Sequence, residues 1–71
     1  MIYAQFFRDD GSGKLAEACG DRSVVILDGR SPARHNGWAD EECRRRGYVA
    51  WQLMKGDRFS DARPITAAKR V

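Results

Sequence analysis

Residues 38–54 constrain the fold of this chain more than any other stretch, because they combine a helix signal, a stop signal and a strand signal. Three acidic residues at 40–42 precede three arginines at 44–46, an order that complements the dipole of a helix. Gly47 comes next, and glycine readily adopts the left-handed conformation that ends many helices. The largely apolar residues 48–54 are typical of a strand. We therefore predict a helix that ends at Gly47 and leads directly into a strand.

Two positions are candidates for the start of this helix. Ser31 followed by Pro32 fits an N-cap and a first helical residue, while Asn36 is a second candidate cap. Opposite charges four residues apart should then pair along the helix, each pair being worth about 0.2–0.5 kcal/mol. The predicted pairs are Asp40 with Arg44, Glu41 with Arg45 and Glu42 with Arg46.

One face of the predicted helix is poor in large side chains. Ala39, Cys43 and Gly47 recur every four residues, so they lie on the same face, with Trp38 beside it. Such a face can approach a sheet closely, and the sheet must then supply the apolar bulk of the core. The side chains expected to do so are Ile2, Phe6, Ile26, Val49, Trp51 and Leu53.

The remaining segments favour strands and turns. Residues 2–8 alternate along two faces and lead into a turn rich in Asp and Gly, which predicts a strand and a hairpin. Residues 14–19 have helix propensity, but their short length between two turns favours a strand. The unbroken apolar run within 23–28 is typical of a strand that is covered on both faces or central in its sheet. Residues 65–68 are expected to form a short edge strand, because Pro64 cannot donate a ladder hydrogen bond.

These elements follow one another in the order β-β-β-α-β, with a short further strand at the end. They predict an α+β fold, in which an antiparallel β-meander of three to four strands carries one α-helix on one face. The strand after the helix should pair with the first strand, because both carry aromatic side chains on alternate faces. Residues 1–71 are expected to form one small domain, with a mobile tail at 69–71.

Composition argues against several classes of protein. No apolar run approaches the roughly 18 residues of a membrane span, and the N-terminus lacks the basic and apolar regions of a signal peptide. A cytoplasmic location is therefore expected. Cys19 and Cys43 are too few for a disulfide framework, and we interpret them as small apolar residues.

No residue pattern in the chain indicates catalysis or cofactor binding. Residues 11–14, Gly-Ser-Gly-Lys, lack the first glycine and the final hydroxyl residue of a phosphate-binding loop. On one helix His35 and Cys43 would lie about 12 Å apart along the axis, too far for a base and its nucleophile. Together with Cys19 they show no metal-ligand spacing. We therefore expect no enzymatic activity, no cofactor and no metal.

Positive charge is concentrated towards the C-terminus. Residues 44–71 contain eight basic and two acidic residues, whereas residues 1–43 contain five basic and eight acidic ones. If the turn at Gly56 folds back towards the helix end, the bases form one patch for phosphates or an acidic partner; otherwise they form a solvated face. The candidate basic contacts are Arg44, Arg45, Arg46, Lys55, Arg58 and Arg63. The candidate stacking or interface aromatics are Tyr3, Phe7 and Tyr48.

Three stretches resemble small uncharacterised proteins carried by bacterial phages and prophages. They are Met-Ile-Tyr-Ala-Gln-Phe-Phe at 1–7, Ser-Val-Val-Ile-Leu-Asp-Gly-Arg at 23–30 and Arg-Gly-Tyr-Val-Ala-Trp-Gln-Leu at 46–53. Because these are strand and turn patterns, the resemblance assigns no catalytic residue. It implies an accessory protein that acts inside a bacterial host.

The sequence thus predicts a small, non-enzymatic binding module. Its partner is expected to be another protein or a second copy of the chain, held through a sheet edge or through exposed aromatic side chains. Nucleic-acid binding through the basic C-terminal part is the alternative.

Overall fold

A computed structural model describes residues 1–71 and shows an α+β fold with one helix and one six-stranded antiparallel sheet. The strands are β1 (Ile2–Asp9), β2 (Leu15–Glu17), β3 (Val24–Ile26), β4 (Ala50–Lys55), β5 (Arg63–Pro64) and β6 (Lys69–Arg70). Helix α1 spans Pro32–Arg45, and a single 3₁₀ turn spans Phe59–Asp61. The predicted fold class is confirmed, and so is the choice of a strand within residues 14–19.

Strands β1 and β4 form the centre of the sheet. They pair along their lengths, from Ile2 opposite Lys55 to Phe7 opposite Ala50, which confirms the predicted partner of the strand after the helix. Strands β2 and β3 share the outer side of β1, and β5 and β6 share the outer side of β4. The sheet is therefore four strand positions wide, with both edges built from short strands.

The prediction of a central or doubly covered strand at 23–28 is wrong. Only Val24–Ile26 forms a strand, and it pairs with β1 alone at the edge of the sheet. The side chains of Val25 and Leu27 are buried, whereas Ile26 between them is 44% exposed. Every side chain of the run is apolar, although Val25 and Leu27 enter the core and Ile26 lies on an uncovered face. A run without alternation of apolar and polar residues does not show which of its side chains face the core.

The C-terminal segment also differs from its prediction. It runs back along β4 as β5 and β6, so strands lie on either side of residues 65–68 instead of within them. Thr66 bridges the interval, because its hydroxyl accepts a hydrogen bond from the Leu53 N–H at 3.3 Å. Most of the predicted tail at 69–71 is paired as β6.

Helix α1 starts and ends where local sequence signals place it. It begins at Pro32, so Ser31 occupies the N-cap position, without a side-chain capping bond, and Asn36 lies inside the helix. Gly47 has a φ of +82°, the left-handed conformation expected of it. The N–H groups of Gly47 and Tyr48 donate to carbonyls of the last turn at 3.1 and 3.0 Å, which is the Schellman arrangement.

The charges on α1 pair differently from the prediction. Residues 40–42 lie in the middle of the helix and not in its first turn, so they do not complement the positive end of the dipole. Of the three predicted pairs only Glu42 with Arg46 forms, at 3.5 Å, and Glu42 also binds Arg45. The other two pairs are absent. Asp40 binds Trp51 and Lys69, and Arg45 binds Glu42. Glu41 and Arg44 form no salt bridge.

The core lies between α1 and one face of the sheet, which we call the helix face. Ala39 and Cys43 on the helix pack with Trp51 and Leu53, as predicted. The complete cluster consists of Ala4, Phe6, Ala18, Val25, Leu27, Ala39, Cys43, Trp51 and Leu53. The small helical side chains therefore do allow a close approach to a sheet that supplies the bulk.

Two of the side chains predicted to supply that bulk lie elsewhere. Ile26 is opposite Tyr3 in the register, and both point to the other side of the sheet, which we call the open face. Val49 is half-buried outside the cluster and precedes β4. Val25 and Leu27 take the core position that was predicted for Ile26.

Candidate binding surface on the open face of the sheet

The basic side chains predicted to form one patch lie at opposite ends of β4. Residues 44–46 lie at the end of α1, which is joined by a short loop to the first residue of β4, whereas Lys55 is its last residue and has Arg63 opposite it. The length of β4 separates these ends by about 17 Å. The turn at Gly56 therefore does not return to the helix end, and the single patch is not formed.

Arg46 is part of the fold and not a free cation, since its side chain is only 16% exposed. Its guanidinium donates to the carbonyls of Val24 at 2.8 Å and Arg22 at 3.3 Å, and it lies over the Phe6 ring. The Val24 carbonyl points away from β1, along the unpaired edge of β3. Arg46 therefore covers a sheet edge, which protects that edge from pairing with another chain.

Arg45 is engaged by Glu42 through two side-chain hydrogen bonds. These bonds, together with the positive charges of Arg45 and Arg46, lower the pKa of the Glu42 carboxyl despite its burial. Arg44 is exposed and forms no salt bridge. Of the three arginines predicted at the helix end, only Arg44 has no carboxylate or carbonyl partner.

The other end of β4 holds the remaining predicted cations. Lys55 and Arg63 are directly opposite each other and have no carboxylate partner. Arg58 is 3.4 Å from Asp61, and both side chains are largely exposed. Like charges opposite each other weaken strand pairing, so a bound anion would stabilise this end of the sheet.

The second edge of the sheet is also occupied. The Lys69 ammonium on β6 is 3.3 Å from the Asp40 carboxylate and also lies over the Trp51 ring. The Trp51 indole N–H donates a hydrogen bond to the same carboxylate at 2.6 Å. Burial would raise the pKa of Asp40, but the bonds from Trp51 and Lys69 outweigh it, so the pKa is lowered. On β5, Pro64 has no N–H to offer another strand. Proline and charged side chains are features that hinder edge pairing.

The three aromatic side chains predicted for an interface do not share a surface. Tyr48 stacks on Phe6 on the helix side, with 5.4 Å between the ring centroids. Tyr3 and Phe7 belong to the open face, but Tyr3 is only 4% exposed. Phe59 covers Tyr3 edge to face, with 4.7 Å between the centroids.

Two exposed apolar side chains of the open face, Ile26 and Phe59, are not among the aromatics predicted for an interface. Ile26, Tyr3 and Met54 are side by side across three strands, and Phe59 lies over Tyr3. Ile26 is 44% exposed and Phe59 is 52% exposed. We call these four residues the open-face patch. Strand periodicity would have required either Ile26 or its two neighbours to face outwards, but only the register decides which.

A groove of about 340 Å³ lies beside the open-face patch. Its lining includes Tyr3, Gln5, Glu17 and Phe59. Burial and the Glu17 carboxylate raise the pKa of the Tyr3 phenol, so Tyr3 is neutral at physiological pH. The groove thus combines two aromatic rings, an amide and a carboxylate, and no basic side chain lines it.

A second groove, of about 490 Å³, lies along one side of α1. Arg30 stacks on Trp38 there, with its guanidinium carbon 3.6 Å from the ring centroid. Arg34 and Glu41 complete its charged lining. This groove has charges of both signs, and one of its arginines is already held by the tryptophan.

The histidine and cysteines do not form a reactive cluster. Cys43 is buried with its sulfur 3.5 Å from the Ala50 carbonyl, and burial raises the pKa of its thiol. A ring nitrogen of His35 is 3.1 Å from the Arg30 carbonyl. No group of three side chains is arranged to hold a metal ion.

Comparison of the chain with protein families, with curated proteins and with solved structures finds no match. None of its helices has the length and apolar character that crossing a bilayer requires.

Proposed function

We propose that this protein is a non-enzymatic binding module that holds a protein partner on its open-face patch. The supporting observation is the continuous row of apolar side chains there, in which Ile26 and Phe59 are about half exposed. Exposed apolar patches with aromatic members are typical of protein interfaces. The resemblance to phage and prophage proteins leads us to propose that the module acts in the bacterial cytoplasm.

Of the two contact modes predicted from the sequence, the structure favours the aromatic face over the sheet edge. The Arg46 guanidinium donates a hydrogen bond to the Val24 carbonyl on the edge of β3. Pro64 and Lys69 belong to the strands at the opposite edge. Strand addition by a partner at β3, β5 or β6 would have to displace these groups, whereas contact with the open face displaces none of them.

Affinity capture from nuclease-treated bacterial lysate tests the proposal. The wild-type chain should retain a protein, and Phe59→Ser should weaken its retention by tenfold or more, since truncating a central aromatic side chain costs about 2 kcal/mol or more. Ile65→Ser is the matched control, because Ile65 is 51% exposed but lies beside Leu53 of the helix face. That control should retain the protein as well as the wild type does.

Three results would contradict the proposal. Retention unchanged by Phe59→Ser would remove the open-face patch from the interface. Retention abolished by nuclease would show that the captured proteins are bridged by nucleic acid. A concentration-dependent dimer in gel filtration, lost in Phe59→Ser and unaccompanied by any captured protein, would assign the patch to a second copy of the chain.

Nucleic-acid binding is a second candidate function, favoured by Lys55 and Arg63, which are opposite each other without a carboxylate partner. Salt-dependent retention of a DNA oligonucleotide, lost when both residues are changed to Glu, would support it. The double variant Arg44→Glu with Arg45→Glu is the control at the opposite end of β4. Absence of retention at low salt would rule against this candidate.

A further inference from the structure

We infer that the groove beside the open-face patch receives an arginine side chain from the bound protein, with Glu17 and Gln5 as acceptors and Tyr3 and Phe59 as an aromatic wall. The inference rests on the proposed function and deepens it, since it names the chemistry of the contact.

Glu17 supplies an unpaired negative charge. It is opposite Phe7 in the register, so its side chain lies on the open face, and it is exposed. The four salt bridges of the protein use Asp40, Glu42 and Asp61, and none uses Glu17. A cation from another molecule can therefore reach this carboxylate without displacing a partner within the chain.

Gln5 supplies an acceptor whose direction is fixed by the fold. Its amide nitrogen lies 3.0–3.2 Å from the carbonyl oxygens of Phe6, Ala18 and Ser23. Three acceptors around one NH₂ group leave the amide no alternative orientation. The amide oxygen has no partner within the chain, although Gln5 is 7% exposed and lines the groove.

The aromatic wall favours a cation over a neutral group. The faces of aromatic rings are electron-rich and attract ammonium and guanidinium groups. Phe59 leaves about half of its surface open, and its edge-to-face contact with Tyr3 holds the ring in place. An anion is disfavoured, because Glu17 would repel it and no basic side chain lines the groove.

Arginine fits this combination better than lysine. Its planar guanidinium carries five donors, so it can bond to a carboxylate and an amide oxygen at once while it stacks on a ring. The ammonium of lysine is compact and more strongly hydrated. The groove, at about 340 Å³, is at the small end of the roughly 300–1,000 Å³ range of ligand sites, which suits one side chain.

A titration followed by ¹H–¹⁵N NMR tests the inference on the intact chain. The probes are N-acetyl-arginine amide, the neutral isostere N-acetyl-citrulline amide and N-acetyl-lysine amide. The side-chain NH₂ of Gln5 is the reporter, and it is easily assigned because only Gln52 and Asn36 carry comparable groups. The arginine probe should shift the Gln5 resonance saturably, the lysine probe more weakly, and the citrulline probe not at all.

Matched variants assign the response to the groove. Glu17→Gln should weaken arginine binding by up to about fivefold, which is the range measured for exposed ion pairs. Phe59→Ala should weaken it by about two- to fivefold through loss of the ring. Glu41→Gln removes an exposed carboxylate that lies on α1, outside this groove, and should leave arginine binding unchanged.

The outcomes separate the inference from the proposed function. Equal responses to arginine and citrulline, or an arginine affinity that is unchanged by Glu17→Gln, would overturn the inference. Capture of a protein that depends on Phe59, with no arginine response, would overturn the inference and leave the proposed function intact. An arginine response with no captured protein would support the groove chemistry and overturn the proposed protein partner.

Discussion

The two faces of the sheet are built from the same strands but differ in what covers them. On the helix face, Phe6 and Leu27 are fully buried under α1. On the open face, Ile26 and Phe59 remain about half exposed, and only the segment that carries Phe59 covers Tyr3. Neighbouring residues of one strand therefore differ in role: one set contributes to stability, and the other belongs to the surface that we propose for binding.

This difference has a physical cause, because residues 1–71 contain a single α-helix. A chain of 71 residues with one helix can cover one face of a sheet, and its core is correspondingly small. Leaving the second face apolar lowers solubility unless a partner covers it. The contrast between the faces can be measured through substitutions that act on one face at a time.

The largest effect is expected from Phe6→Ala. It leaves a cavity under the helix and should lower the free energy of unfolding by about 3–5 kcal/mol. Phe59→Ala should lower it by only about 1 kcal/mol, through loss of the edge-to-face contact with Tyr3. Urea denaturation followed by circular dichroism measures both, and Phe6→Leu gives a milder change if Phe6→Ala is unfolded. Equal costs for Phe6→Ala and Phe59→Ala would show that the two faces are equally part of the core.

A smaller effect is expected where the helix contacts the last strand. Asp40→Ala removes the acceptor of the partly buried Trp51 indole and of Lys69, and should destabilise the fold by about 1–3 kcal/mol. Lys69→Ala removes only an exposed partner and should cost less than about 1 kcal/mol. Thermal unfolding of the two variants compares them. A cost for Lys69→Ala as large as that for Asp40→Ala would assign the stability to the ion pair instead of the indole bond.

Glu42 should make the helix face sensitive to acid. Its pKa is lowered in the folded protein, so its contribution is fully present above the ordinary glutamate value of about 4.3 and is lost as the pH falls through the lowered value. Glu42→Gln should cost about 1 kcal/mol at pH 7. The variant should also lose part of the fall in stability between pH 5 and pH 2, measured by urea denaturation. An unchanged slope in that range would show that Glu42 is not a source of the acid sensitivity.

The smallest effect should have the opposite sign. Gly37 lies inside α1, and a methyl group added there meets no atom within 4 Å. Gly37→Ala should therefore raise the free energy of unfolding by about 0.4–1 kcal/mol, because it restricts the unfolded chain and favours the helix. Gly47→Ala, at a φ of +82°, should lower it instead. Urea midpoints that shift in the same direction for both variants would contradict this assignment.

Much of the fold followed from local signals in the sequence. Ser31 with Pro32 and the glycine at 47 marked the ends of α1, and Ala39 and Cys43 identified its buried face. These features depend on backbone preference and periodicity, which are local properties. The pairing of β4 with β1 could also be predicted, because both stretches carry aromatic side chains on alternate faces.

Much less of the candidate surface could be predicted from the sequence, because the surface depends on strand register and on long-range contacts. The sequence predicts Arg46 as a helix pair with Glu42 and as a contact for phosphates or an acidic partner, but its guanidinium also reaches carbonyl groups more than twenty residues away in the chain. Ile26 was assigned to the core, because a continuous apolar run does not show which side chains face the helix. Phe59 lies in an irregular segment, and only the folded chain brings it onto Tyr3.

The most direct test of the account applies Phe59→Ser to both properties at once. Thermal unfolding and capture from nuclease-treated lysate are measured on the same preparation of this variant and of the wild type. We expect a melting temperature lowered by only about 4–8 °C, because a loss near 1 kcal/mol has this effect in a chain of this size, together with loss of the captured protein. Unchanged capture, or a variant that no longer folds, would contradict the assignment of the open face to binding and the helix face to stability.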